Sequence, residues 1–143
     1  MKVCFDTSTL VAALLQQHPH HAIAFPRLKA VKDGLVQGYL TTHCLAELFA
    51  TLTALPLKPR LLPAEAKRII GESILGHLVL IPLSADHYHE AMKLTVTGNL
   101  SSGAIYDALH LVGALSVGCG ALYTLNLRHF RSLAPGDPII ASP

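Results

Sequence analysis

The chain has 143 residues, of which 51% are hydrophobic and 14% charged, a size that fits one domain and a composition too apolar for a disordered one. Its formal net charge of +2 gives no broad electrostatic claim on nucleic acid, and a chain of this length buries a core without disulfide or metal staples. A mean hydropathy of +0.44 leaves more apolar surface than a lone small domain hides, which points to a protein partner.

In chain order, Lys2 to Phe5 is a short apolar run that stops at Asp6, too abruptly for a signal peptide. Thr7 or Ser8 then caps a helix whose apolar residues recur at Leu10, Val11, Leu14 and Leu15. That order places Asp6 at the carboxyl end of a strand, the edge where open α/β sheets bind ligands. His18-Pro19-His20-His21 turns the chain into a second helix ending near Gly34, with Pro26 as a kink. Val36 to Leu40 is a strand, and Thr41-Thr42 caps a helix to about Ala54, stopped by Pro56 and Pro59. Pro63-Ala64-Glu65 opens a helix that is apolar at Ala66, Ile69, Ile70, Ile74 and Leu75, followed by a strand from Leu78 to Ile81. Ser84 starts a helix to about Gly98, Ser101-Ser102 caps another to Val117, Ala121 to Leu125 is a strand, and Ile139-Ile140 is a short edge strand. Ala108 to Leu127 is uncharged and long enough to span a bilayer, but His110, Gly118, Gly120 and Asn126 break it, and no membrane span is expected. The pattern predicts a single domain over residues 1–143, an α/β fold in which a mostly parallel sheet forms the centre of a three-layer sandwich. Three cysteines without metal-ligand spacing, Cys4, Cys44 and Cys119, read as reduced thiols of a cytoplasmic protein.

Twenty of the 143 residues are Asp, Glu, Lys or Arg, so a window of 24 should hold three or four. Val3 to Pro26 holds only Asp6, Val36 to Leu57 only Glu47, and Leu94 to Leu127 only Asp107. One lone acid on an apolar helix commonly just reaches solvent. Three of one sign, with no lysine or arginine nearby, point instead to a cluster. Two carboxylates about 4 Å apart repel by roughly 4 kcal/mol at an effective dielectric near 20, so a cluster needs protons or a divalent cation. Two aspartates and a glutamate, all oxygen ligands, suit Mg²⁺ or Mn²⁺ and not structural zinc.

Asp6-Thr7-Ser8 after the first strand, Ala46-Glu47-Leu48 on the third helix, Ile105-Tyr106-Asp107-Ala108-Leu109-His110 on a late helix and Tyr123-Thr124-Leu125-Asn126-Leu127-Arg128-His129-Phe130 near the end resemble PIN-domain ribonucleases, specifically the VapC-type toxins of toxin–antitoxin pairs. The resemblance runs nearly the whole chain. It implies a PIN-like fold, a metal-dependent endoribonuclease leaving 5′-phosphate and 3′-hydroxyl ends, a homodimer, and an antitoxin whose tail covers the site. Asp6, Glu47 and Asp107 match the acidic metal-binding positions, with Asp6 and Asp107 holding Mg²⁺ and Glu47 holding a second ion or a water. Thr7, Ser8, Thr124 and Asn126 are candidates for orienting the acids or a water, although hydroxyls beside helix starts are more often plain caps. Arg128 and Arg131 are candidate contacts for RNA phosphates, against the alternative of simple solvation. The family often carries a fourth acid, and here those places hold Asn126 and His129.

Three other readings compete. Paired histidines could cut RNA without metal, or His87 and His89 could bind a transition metal with His18, His20 or His21, but neither has a supporting constellation, and His110 reads as structural. An aspartate nucleophile for phosphate transfer would want a second acid at Ser8 and a downstream lysine. A binding module of the same fold that has lost its chemistry is supported only by the missing fourth acid. Leu10, Leu14, Leu48, Phe49 and Leu52 form the candidate exposed stripe for an antitoxin segment.

Overall fold

In the first strand, β1 (Lys2–Phe5), Val3 and Phe5 face one way and Cys4 the other, and all three are buried. A strand covered on both faces belongs to a parallel sheet between helical layers. The computed structural model, which describes Met1–Pro143, has that architecture. β1, β2 (Gln37–Thr41), β3 (Val79–Ile81), β4 (Ala121–Tyr123) and β5 (Ile140–Ala141) form one sheet of order β3-β2-β1-β4-β5, and every ladder is parallel.

One face is covered by α1 (Thr7–Leu14), α2 (His21–Lys32), α3 (Thr42–Ala54) and α4 (Pro63–Ile69), the last running on into a π-helical stretch, Ile70–Leu75. α5 (Ala85–Thr97), α6 (Ala104–Ser116) and α7 (Leu127–Leu133) cover the other. Pro26 lies inside α2 without ending it. No helix is long and apolar enough to cross a membrane.

The sequence-based expectations need four corrections. Asp6, not Thr7 or Ser8, caps α1, its side chain accepting the Thr9 N–H at 2.9 Å. Ser101 and Ser102 do not cap α6 through their side chains; Ser102 takes a left-handed φ of 53° in the turn before Gly103, and the Ala104 N–H bonds to the Ser101 carbonyl. α7 was not foreseen. Finally, the candidate docking stripe is mostly core, with Leu10, Leu48 and Leu52 fully buried and Phe49 exposed. Among the large apolar side chains left exposed, Tyr88, Met92 and Val96 share one face of α5.

One close approach fixes how α6 lies on the sheet. A Cβ at Gly113 would stand 2.5 Å from Thr41 Cγ2, and the Thr41 hydroxyl is already committed to the Cys44 N–H at 3.0 Å as the cap of α3. Thr41 is fully buried and cannot rotate away without losing that cap. Gly113→Ala is therefore expected to destabilise the fold by about 1–3 kcal/mol in urea unfolding, the range for overpacking. Adding Thr41→Ser, which removes the clashing methyl and keeps the capping oxygen, should restore most of the loss. An unchanged midpoint in the single variant would contradict the packing.

Candidate functional site

The sheet order turns back between β1 and β4, and the crevice beyond their carboxyl ends is where an open α/β sheet receives a ligand. Asp6 follows β1 at this point, with its N–H bonded to the Tyr123 carbonyl of β4 at 3.1 Å. Its carboxylate is nearly fully buried and takes three donors: the Thr9 N–H at 2.9 Å, the Ser8 hydroxyl at 2.8 Å and the Thr124 hydroxyl at 2.6 Å. Both hydroxyls also accept a backbone N–H, Ser8 from Leu125 at 3.1 Å and Thr124 from Asn126 at 2.9 Å. With a lone pair of each thus engaged by the backbone, the single hydroxyl proton of each is directed at Asp6.

Glu47 comes from α3. Its Oε1 accepts from Thr7 Oγ1 at 3.1 Å and from His110 Nε2 at 2.9 Å. A carboxylate only accepts, so His110 carries its proton on Nε2. His43, one turn before Glu47, places Nε2 3.2 Å from the same oxygen but off the hydrogen-bonding direction, and its ring stacks on Tyr106 with centroids 5.0 Å apart. Burial pushes the Glu47 carboxyl up, yet the hydrogen bond and charge of His110, with His43 and Thr7, outweigh it and hold the group below its ordinary value. Burial, with His110 adding and Glu47 opposing, lowers His43.

Asp107 lies in the first turn of α6, half-buried, with His129 Nδ1 at 3.7 Å. Burial raises its carboxyl above the ordinary aspartate value; the negative charges of Asp6 and Glu47 add to the rise, and His110 and His129 oppose it. Asp107, distant in sequence from Asp6 and Glu47, therefore lies close enough to both to feel their charge. Residues 3–134 match the family model of the PIN domain.

The chain belongs to the PIN-domain family. It is 33% identical over 110 residues to Ribonuclease VapC27 of Mycobacterium tuberculosis, covering 76% of this chain and 74% of that one. Among solved structures, VapC20 of Mycobacterium tuberculosis, described as a Sarcin-Ricin loop cleaving toxin, superposes with a TM-score of 0.72 at 20% identity over 99% of both chains. VapBC2 of Rickettsia felis, solved bound to a DNA fragment from its promoter, gives a TM-score of 0.69 at 20% identity over 100% of this chain and 99% of that one. At such identities the solved structures speak to the fold.

The donors of this PIN domain suit a hard divalent cation: carboxylate oxygens, no lysine or arginine paired to them, and an Asp107 whose ionisation the other two acids oppose. No three acidic, histidine or cysteine side chains converge into a finished cage. Mg²⁺ needs none, since it keeps several waters and takes one or two carboxylates with substrate oxygens. Thr7, Ser8 and Thr124 hold acids and are not caps. Asn126 is exposed beside them, while Arg128 and Arg131 are exposed on α7 and form no ion pair with the acids. His87 and His89 join no third histidine, cysteine or acid in a group that could hold a transition metal, and His87 Nδ1 instead accepts the Ser84 N–H at 2.9 Å at the start of α5. His43 was missed, and the clue was its spacing of one helical turn from Glu47.

Asp107→Asn removes a charge that burial and the neighbouring Asp6 and Glu47 disfavour. In metal-free buffer at neutral pH it is expected to raise the thermal midpoint, because an acid whose folded pKa is raised destabilises the fold once ionised. Added Mg²⁺ at about 100 times its Kd should stabilise the unsubstituted chain by about 2.7 kcal/mol and the variant by much less. A variant less stable than the parent without metal would contradict the electrostatics.

Proposed function

We propose that residues 1–143 act as one VapC-type PIN ribonuclease, an endoribonuclease dependent on Mg²⁺ or Mn²⁺ that serves as the toxin of a toxin–antitoxin pair. The observation that carries this reading is the placement of Asp6, Glu47 and Asp107 around the β1–β4 crevice, where burial, together with the charges of Asp6 and Glu47, raises the Asp107 carboxyl. The kinship with Ribonuclease VapC27 supports RNA as the substrate.

Asp6 and Asp107 would hold the ion. When bound, a divalent ion acidifies a water and polarises a phosphoryl oxygen for in-line displacement. The residues around it supply position. Thr9, Ser8 and Thr124 fix Asp6 in one orientation, which spares reorganisation when a phosphate arrives. Glu47, kept ionised by His110, orients a water by accepting its hydrogen bond, or holds a second ion. Asn126 can offer its amide to the same water, and Arg128 and Arg131 can meet the RNA backbone as the strand leaves the crevice. With water as the nucleophile and the 3′-oxygen as the leaving group, the proposed products carry 5′-phosphate and 3′-hydroxyl ends, as the likeness to PIN-domain ribonucleases implies.

An antitoxin and a second copy of the chain are the proposed protein partners, in the cytoplasm. Uncovered apolar surface at Phe49 and along Tyr88, Met92 and Val96 supports association. The likeness to VapBC2 extends that support to the antitoxin.

Purified chain should cut RNA in Mg²⁺ or Mn²⁺ and stop in EDTA, and Asp6→Asn should fall to the EDTA background. Thr124→Val, which keeps the shape and removes the donor to Asp6, should lose about 10–100-fold in activity or metal affinity. Cuts that survive EDTA and end in cyclic phosphates would overturn the metal mechanism and turn attention to the histidines.

A further inference from the structure

The acid cluster borders two depressions. Asp107 and His129 line one. Thr7 and Ser8 line the other, an open hollow of about 520 Å³ that also takes in His18, His20 and Asn126. Its volume lies within the range of small-molecule sites, about 300–1,000 Å³. Because Thr7 and Ser8 bond to Glu47 and Asp6, anything seated there adjoins the acids directly.

We propose that this hollow is a nucleobase subsite, in which the His18 imidazole stacks on an RNA base next to the cleaved phosphate and, with Asn126, sets which sequence is cut. The inference rests on the ribonuclease reading above and names a determinant of its specificity.

The chemistry of the walls favours a base over a phosphate. No lysine or arginine lines the hollow, and its apolar side is Val11, Leu55 and Leu125. The hydroxyl protons of Thr7 and Ser8 are committed to the acids, which leaves His18, His20, Thr51 and the half of the Asn126 amide that does not meet the water as the polar groups available to read a base edge. Planar stacking surface with a few neutral donors and acceptors is how proteins receive unpaired bases.

The His18 ring is held ready. His20 N–H donates to its Nδ1 at 3.0 Å, so the neutral ring keeps its proton on Nε2 as a donor. The turn that carries it is tied down at both ends: His18 N–H bonds to the Leu15 carbonyl at 2.9 Å and His21 N–H to the His18 carbonyl at 3.0 Å. His21 Nδ1 meets the Ala12 carbonyl of α1 at 2.9 Å, anchoring the turn to the helix that begins at Asp6. Burial, with His20 and His21 nearby, lowers the His18 pKa, so at neutral pH the ring serves as an aromatic plate and not as a cation for phosphate.

The test combines binding and cleavage. The chain bearing Asp107→Asn, which should bind RNA without cutting it, is titrated with short single-stranded oligoribonucleotides while the histidine ring protons are followed by NMR, beside oligonucleotides with one base removed at each position in turn. The His18 signals should move upfield and saturate, and removal of one particular base should abolish the shift. In the otherwise unsubstituted chain, His18→Ala should weaken RNA binding about tenfold and flatten the base preference beside the cut, while His18→Phe should recover affinity but not the preference. Cleavage that keeps its base preference in His18→Ala would overturn the subsite and leave the nuclease standing. Absence of cleavage would count against the nuclease; the subsite would then be overturned by His18 signals that stay fixed at saturating RNA, or that move equally with every base-deleted oligonucleotide, and upheld by a shift that depends on one base.

Discussion

The cost of keeping Asp107 ionised in a half-buried crevice beside Asp6 and Glu47 is the constraint on which the site depends. Asp6, Glu47 and Asp107 are supplied by β1, α3 and α6, so the fold itself forces together charges that would separate if the chain were free. Around two of them the sequence provides neutral donors in place of cations. Ser8, Thr124 and the Thr9 amide hold Asp6, and Thr7 and His110 hold Glu47. A lysine or arginine would neutralise the cluster permanently and compete with any metal, whereas hydroxyls and imidazoles fix the oxygens and leave the negative potential in place. Asp107 lacks such a clamp, and burial, with the charges of Asp6 and Glu47 adding, raises its carboxyl above the ordinary aspartate value.

The same residues link fold to site. Thr41 closes β2, caps α3 and packs against Gly113, so the helix carrying Glu47 and the helix carrying Asp107 are positioned by one buried side chain. Asp6 combines the roles of helix cap and proposed ligand. Asp6→Asn keeps an oxygen that can cap α1 but removes the charge and sets an amide NH₂ against the Ser8 and Thr124 donors, whereas Asp6→Ala would lose the cap as well, typically about 0.5–2 kcal/mol. A loss of activity in Asp6→Asn must be read beside its stability, while Thr124→Val leaves the cap untouched.

Much of this was legible in the sequence, for identifiable reasons. The alternation of short apolar runs with capped helices fixed the layers, and three acids isolated in uncharged windows marked the cluster. α7 escaped because Leu127 to Leu133 is too short for a periodic signal and Asn126 offers no side-chain cap. The cap of α1 was misassigned because Asp6, Thr7 and Ser8 are all good capping residues in a row, and only the backbone shows that Asp6 precedes the helix. The supposed docking stripe failed because helices near the crevice are packed by neighbouring helices as well as by the sheet, so Leu10, Leu48 and Leu52 have no free face. His110 and Glu47 lie 63 residues apart, and no local pattern announces that pairing.

Paramagnetic relaxation by Mn²⁺ tests the central claim most directly, since it locates a cation without requiring activity. With substoichiometric Mn²⁺ added to isotopically labelled chain, the amide signals of Asp6 to Ser8, Thr124 to Asn126 and Asp107 should broaden before any others, and excess Mg²⁺ should restore them. Broadening that begins at the His18 to His21 turn, or that spreads evenly over the surface acids while these signals stay sharp, would contradict a cation site built from Asp6 and Asp107.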